Sequence, residues 1–117
     1  MRNIILLILL LVSSFGYAGA EFGLTGTDML DLCKSDKDED KAICAYYIAG
    51  FSGGVSRLTV ESGQDAIYCL PVAIRLHQLT KLYLQYSLEK PELLDSPSDV
   101  FVYAMLKQYF PCQVASD

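Results

Sequence analysis

Four cysteines, a single histidine and a run of carboxylates are the side chains of this 117-residue sequence best suited to chemistry. The cysteines are Cys33, Cys44, Cys69 and Cys112. None forms a C-x-x-C pair, so redox catalysis and zinc binding have little support. An even cysteine count in a small chain reads as a disulfide framework, for which three connectivities are open. Once the bridges form, no thiol remains to act beside His77. A lone histidine near the edge of a helix face is ordinarily structural or exposed. The sequence carries no G-x-S-x-G, no H-E-x-x-H and no glycine-rich phosphate loop. Glu89 and Glu92 are close in sequence but flank a helix end, and nothing singles them out as a glycosidase pair. The run Asp36-Lys37-Asp38-Glu39-Asp40 lacks the glycine and distal glutamate of a calcium loop and reads as a solvated linker. No catalytic residue, metal site or cofactor is expected.

The elements that hold these residues follow a leader. Arg2 precedes the apolar run Ile4 to Val12, and Ala18-Gly19-Ala20 supplies small residues for a cleavage site. That is the pattern of a signal peptide, and the run is short for a membrane anchor. Residues 1–20 are expected to be cleaved after Ala20, leaving 21–117 as one exported domain with no membrane anchor. No cysteine follows the run to take a lipid. The formal net charge of −5 becomes one unit more negative when Arg2 leaves. An acidic surface argues against nucleic acid and anionic lipid as partners. Roughly a hundred residues suffice for a single core.

The hydrophobic periodicity then predicts four helices and an all-α class, a compact bundle of about four to five helices. The first starts with Thr27 or Asp28 as its cap, buries Met29, Leu32 and Cys33, and ends near Lys34. The second begins around Asp40 or Lys41. Its stripe is Ile43, Tyr47, Phe51, Val55 and Leu58, widened by Cys44 and Ile48. Gly50, Gly53 and Gly54 interrupt it, each costing about 1 kcal/mol relative to alanine. Either another helix packs closely there, or the helix bends, or it stops at Gly53. Gly63 is a left-handed cap candidate. The third helix is expected to open at Cys69-Leu70-Pro71, with Val72, Leu76, Leu79, Tyr83 and Tyr86 on its buried face and Pro91 as its stop. The fourth starts at Ser96-Pro97-Ser98, buries Phe101, Ala104 and Met105, and stops at Pro111.

Geometry then selects the bridges. A short link makes the third and fourth helices antiparallel and sets Cys69 beside Cys112. The short acidic loop sets Cys33 beside Cys44. The loop-closure model gives roughly 3 kcal/mol for Cys33–Cys44 and about 4 for Cys69–Cys112. Of the tyrosines beyond the leader, those on the apolar stripes read as core. Tyr46, Tyr68 and Tyr103 are the interface candidates.

An ordered set of motifs carries a resemblance. Cys33 closes Met29-Leu30-Asp31-Leu32-Cys33. Cys44-Ala45-Tyr46-Tyr47-Ile48-Ala49-Gly50 follows, then Cys69-Leu70-Pro71, Gln78-Leu79, Pro91-Glu92-Leu93 and Tyr109-Phe110-Pro111-Cys112. The chain resembles the Rap/Tai family of immunity proteins of bacterial type VI secretion. The resemblance implies a periplasmic, disulfide-bonded, all-α inhibitor, often a homodimer. Its partner would be a peptidoglycan amidase effector whose cleft it occludes. Family members often carry a polar or acidic residue soon after Tyr-x-x-Gly, where this chain has Phe51-Ser52-Gly53-Gly54.

Occlusion calls for a loop on a rigid scaffold. The polar, glycine-containing loop from Glu61 to Tyr68 is the first expectation, with Glu61, Ser62, Gln64, Asp65 and Tyr68 as contacts. The acidic loop Asp36 to Asp40 is the second. A small periplasmic helical chaperone or acid-stress protein is the alternative function. With one histidine, its switch would rest on carboxylates.

Overall fold

A computed structural model of the protein describes residues 23–113, together with Met1 and Ile4. The expected leader otherwise lies outside the described residues. Residues 23–113 form four α-helices in order: α1 (Gly26–Lys34), α2 (Asp38–Glu61), α3 (Leu76–Glu89) and α4 (Ser98–Tyr109), with a 3-10 turn at Pro91–Leu93 between the last two. The described residues contain no strand; an isolated bridge joins Thr25 and Pro97. The protein is all-α, and both expected bridges are present, Cys33–Cys44 and Cys69–Cys112.

The start of α1 is where the chain closes on itself. The cap is Thr25, one turn earlier than Asp28. Its hydroxyl accepts from the Asp28 N–H at 3.2 Å, and the Asp28 carboxylate accepts from the Thr25 N–H at 2.8 Å. This reciprocal capping box leaves the N–H groups of Gly26 and Thr27 still needing acceptors. The link before α4 supplies them. Gly26 N–H donates to the Ser96 carbonyl at 2.9 Å, and Thr27 N–H donates to the Leu94 carbonyl at 3.0 Å. In return, Ser98 N–H at the head of α4 donates to the Leu24 carbonyl at 2.8 Å. A Cβ on Gly26 would stand 3.0 Å from both the Cα and the carbonyl oxygen of Leu94, so a larger residue requires the Leu94 backbone to give by a few tenths of an ångström.

The core lies beneath this clasp. Tyr83, Phe101, Met29, Ile48, Met105, Leu106 and Val102 are fully buried. The Tyr83 and Phe101 rings are 4.6 Å apart, and Tyr86 meets Phe101 edge-on at 5.1 Å. Such pairs contribute about 0.5–1.5 kcal/mol beyond their buried area. The Tyr83 hydroxyl is not stranded by this burial, because it donates to the Gly26 carbonyl at 2.7 Å. Tyr47 and Ser98 share a hydrogen bond of 2.7 Å, which ties α2 to the head of α4.

Three expectations need correction. First, α2 starts at Asp38 and runs unbroken to Glu61, so Asp38, Glu39 and Asp40 lie in its first turn, where the helix dipole favours negative charge. It neither stops at Gly53 nor receives a close helix there: a Cβ at Gly50, Gly53 or Gly54 would meet nothing within 4 Å. Packing of the opposite face, at Cys44, Ala45, Ile48 and Ser52, outweighs the glycine cost. Second, the buried stripe of α2 is rotated from the expected one. Ile43 and Leu58 are exposed, while Ser52 and Thr59 are buried with their hydroxyls bonded to the Ala49 and Val55 carbonyls. Third, α3 starts at Leu76, not near Pro71. Cys69 N–H donates to the Phe110 carbonyl at 2.8 Å, so residues 69–71 run beside the C-terminal segment instead of coiling. Val72, expected on the buried face, is fully exposed.

The two kinds of glycine give opposite predictions. Gly26→Ala forces backbone apart and should cost about 1–3 kcal/mol. Gly50→Ala, in an open helix interior, should gain about 0.5–1 kcal/mol. Urea unfolding of both variants checks the signs; an unaffected Gly26→Ala would show that the clasp yields freely.

Candidate partner-binding surface

Two exposed surfaces flank Cys69. The first is the turn that leaves α2. It ends in a Schellman pattern: Gly63 N–H donates to the Val60 carbonyl at 3.2 Å and Gln64 N–H to the Thr59 carbonyl at 3.0 Å. Gly63 adopts φ +69°, the left-handed conformation its type allowed the sequence to foretell. The Ser62 hydroxyl donates back to the Leu58 carbonyl at 2.8 Å. The loop is therefore fixed at its entry by main-chain bonds.

Its exit is fixed by a tyrosine. Tyr68 is only 4 % exposed, and its hydroxyl donates to the Ser52 carbonyl at 2.8 Å. This corrects its reading as a contact residue: the ring is an anchor that fastens the loop to the middle of α2. Between loop and helix remains a crevice of about 80 Å³, lined by Val55, Thr59, Val60, Ala66 and Ile67. Glu61, Ser62, Gln64 and Asp65 are all exposed on the turn. The Glu61 carboxylate already accepts from Arg57 at 2.8 Å, in an exposed pair one helical turn apart. Asp65 is the acidic group of the loop that the turn presents without such a pair.

The second surface is an open groove of about 520 Å³ on the other side of Cys69. Pro71, Ala73, Ile74, Leu82 and Phe110 form its apolar walls. His77, Gln78 and Lys81, from the first turns of α3, form its rim. The groove exists because residues 71–74 do not join α3. It was missed in the sequence, where Val72 and Leu76 continue a helical stripe. The signal that favoured a break was Pro71 two residues after a cysteine bridged to the far end of the chain. Of the remaining tyrosine candidates, Tyr46 is exposed on α2, and Tyr103 is half-buried with Lys107 Nζ 5.3 Å from its ring centre.

The phenols record how tightly the helices close. Burial pushes the Tyr68, Tyr83 and Tyr86 hydroxyls above the usual tyrosine range. Burial, with the Glu89 carboxylate beside it, pushes Tyr109 up to about 12. Glu89 itself accepts from Gln85 at 2.9 Å and from Gln108 at 2.8 Å, linking α3 to α4. Its carboxyl is held below the usual range, by the Gln85 donor first. Glu89 thus serves a structural cross-link, and Glu92 sits apart in the 3-10 turn.

No group of three or more His, Cys, Asp or Glu among the described residues is placed to hold a metal. No helix among them is long and apolar enough to cross a membrane. The site comprises two preformed surfaces on a helical scaffold stapled by two disulfides. The chain belongs to the Rap1a immunity protein family, whose model matches residues 25–112. The match runs from the Thr25 cap to the last bridged cysteine and so takes in all four helices and both disulfides. Immunity proteins of this kind work by binding an effector protein. No curated protein and no solved structure matches the chain.

Two measurements follow from the tyrosines. Tyr68→Phe should cost about 0.5–1.5 kcal/mol, with faster amide exchange at residues 64–67 than in the helices. Unchanged exchange there would remove Tyr68 as the anchor. The four raised phenol values also set an alkaline limit. A raised folded-state value means the neutral phenol is favoured in the fold, so stability is full below about pH 10 and falls as pH rises through the folded values. The tyrosinate absorbance contributed by Tyr68, Tyr83, Tyr86 and Tyr109 should therefore rise in step with loss of helical circular dichroism above that pH. Ionisation of these four before the helices are lost would contradict the burial.

Proposed function

We propose that the protein is exported with cleavage after Ala20, resides in the periplasm, and protects its cell by binding a type VI peptidoglycan amidase effector and occluding its cleft. The family match over residues 25–112 carries this reading. The bridges fit an oxidising compartment. The loop Ser62 to Ile67 is the occluding element, presented by Glu61, Ser62, Gln64 and Asp65, with Tyr68 holding its base. A loop fixed at both ends loses little freedom on binding, so contact energy goes into affinity. The protein acts by binding, not by catalysis, and the family resemblance extends the proposal to a homodimer.

The test uses the oxidised protein against a panel of type VI amidases, first by pull-down and then by peptidoglycan hydrolysis. Tight binding of one amidase with loss of its activity is the expected result. Asp65→Lys should then weaken that binding at least tenfold, or about 1.4 kcal/mol, with no change in thermal midpoint. A variant that inhibits as well as the parent would take the loop out of the interface. Failure of every amidase to bind would sink the immunity role itself.

A further inference from the structure

The groove beside α3 differs in charge from the rest of the molecule. The chain carries a formal net charge of −5, yet no acidic residue lines the groove. Lys81 and His77 stand on its rim, and Arg75 immediately precedes α3. Among the described residues the one ion pair is Arg57–Glu61, so Lys81 is not neutralised by a neighbouring carboxylate. Below these groups lie apolar walls: Ile74, Leu82 and Phe110. The walls are held from behind. Cys69–Cys112 and the Cys69 N–H bond to Phe110 fix the Pro71 segment and the Phe110 segment to each other. An apolar cleft that is already built, with the Lys81 cation at its mouth and no carboxylate in its lining, matches one kind of occupant: an apolar side chain next to a carboxylate.

We propose that this groove receives an acidic, apolar-anchored segment of the partner protein. A large apolar side chain enters between Ile74, Leu82 and Phe110, and an adjacent carboxylate lies against Lys81. Apolar burial supplies the affinity, while Lys81 disfavours a basic segment of the same shape. The identity of the partner rests on the immunity reading. The chemistry of the segment does not, and it places a second contact on the far side of Cys69 from the occluding loop.

The test uses the whole oxidised chain and the fluorescent probe anilinonaphthalene sulfonate, itself an apolar anion. Two capped peptides compete with it: one with leucine and phenylalanine between two glutamates, the other with lysines replacing the glutamates. The glutamate peptide should displace the dye at concentrations at least tenfold lower than the lysine peptide. Lys81→Glu should reverse that order, and Ala73→Trp should abolish dye binding; both positions are exposed, so thermal midpoints should not move. Equal competition by the two peptides, or dye binding that survives both variants, overturns the proposal. So does a dimer, seen by light scattering, that dissociates in both variants, since the occupant would then be a second copy of the chain. An amidase that binds the parent and both variants equally removes the groove and leaves the immunity role standing. If no amidase binds but the peptides are still discriminated, the immunity role falls and the groove stands.

Discussion

The fold depends on hydrogen-bonding groups that two helix starts cannot satisfy for themselves. The first-turn N–H groups of a helix have no partners within it, and burying them unmet costs about 1–3 kcal/mol each. Here the heads of α1 and α4 exchange donors and acceptors through Leu24, Gly26, Thr27, Leu94, Ser96 and Ser98. That exchange brings segments distant in sequence into direct backbone contact. Tyr83 then reaches from α3 to the Gly26 carbonyl, and Phe101 packs against its ring. Three helices are thereby fixed around one point, and α2 lies across α1 and α3, with Cys44 and Ile48 buried in the shared core.

Much of this was legible in the sequence, and the exceptions share a cause. Helix number, class and disulfide pairing follow from periodicity, the prolines and short links, all of which act locally. Gly63 was legible because a left-handed cap needs only its own backbone freedom. What could not be read was set by distant partners. Thr25 became the cap because its turn meets the link before α4, and the same close approach favours glycine at position 26. The start of α3 was misplaced because a bond from Cys69 to Phe110, distant in sequence, holds the chain out of a helix that its apolar spacing would continue. The stripe on α2 was misread because Ser52 and Thr59 satisfy their own hydroxyls along the helix and so can be buried. Within the candidate site, the exposed positions Glu61, Ser62, Gln64 and Asp65 were found from polarity. The inward turn of Tyr68 was not, since a phenol suits either side of a surface until its acceptor is known.

The interval from Ser62 to Arg75 is the longest non-helical stretch between described helices, and Cys69 divides it. On one side is a polar turn fastened by main-chain bonds and Tyr68. On the other is the Pro71 segment, held off α3 so that a cleft stays open. The bridge to Cys112 therefore does more than add stability. It sets the divide between a fastened polar turn and an open apolar groove.

The connectivity also bears on how the chain acquires its bridges. The rings closed by Cys33–Cys44 and Cys69–Cys112 follow one another along the sequence, neither nested nor crossed. A chain that meets an oxidant N-terminus first would pair each cysteine with the next one to appear, and both native bonds would result. Such an order of pairing requires no thiol exchange to correct it.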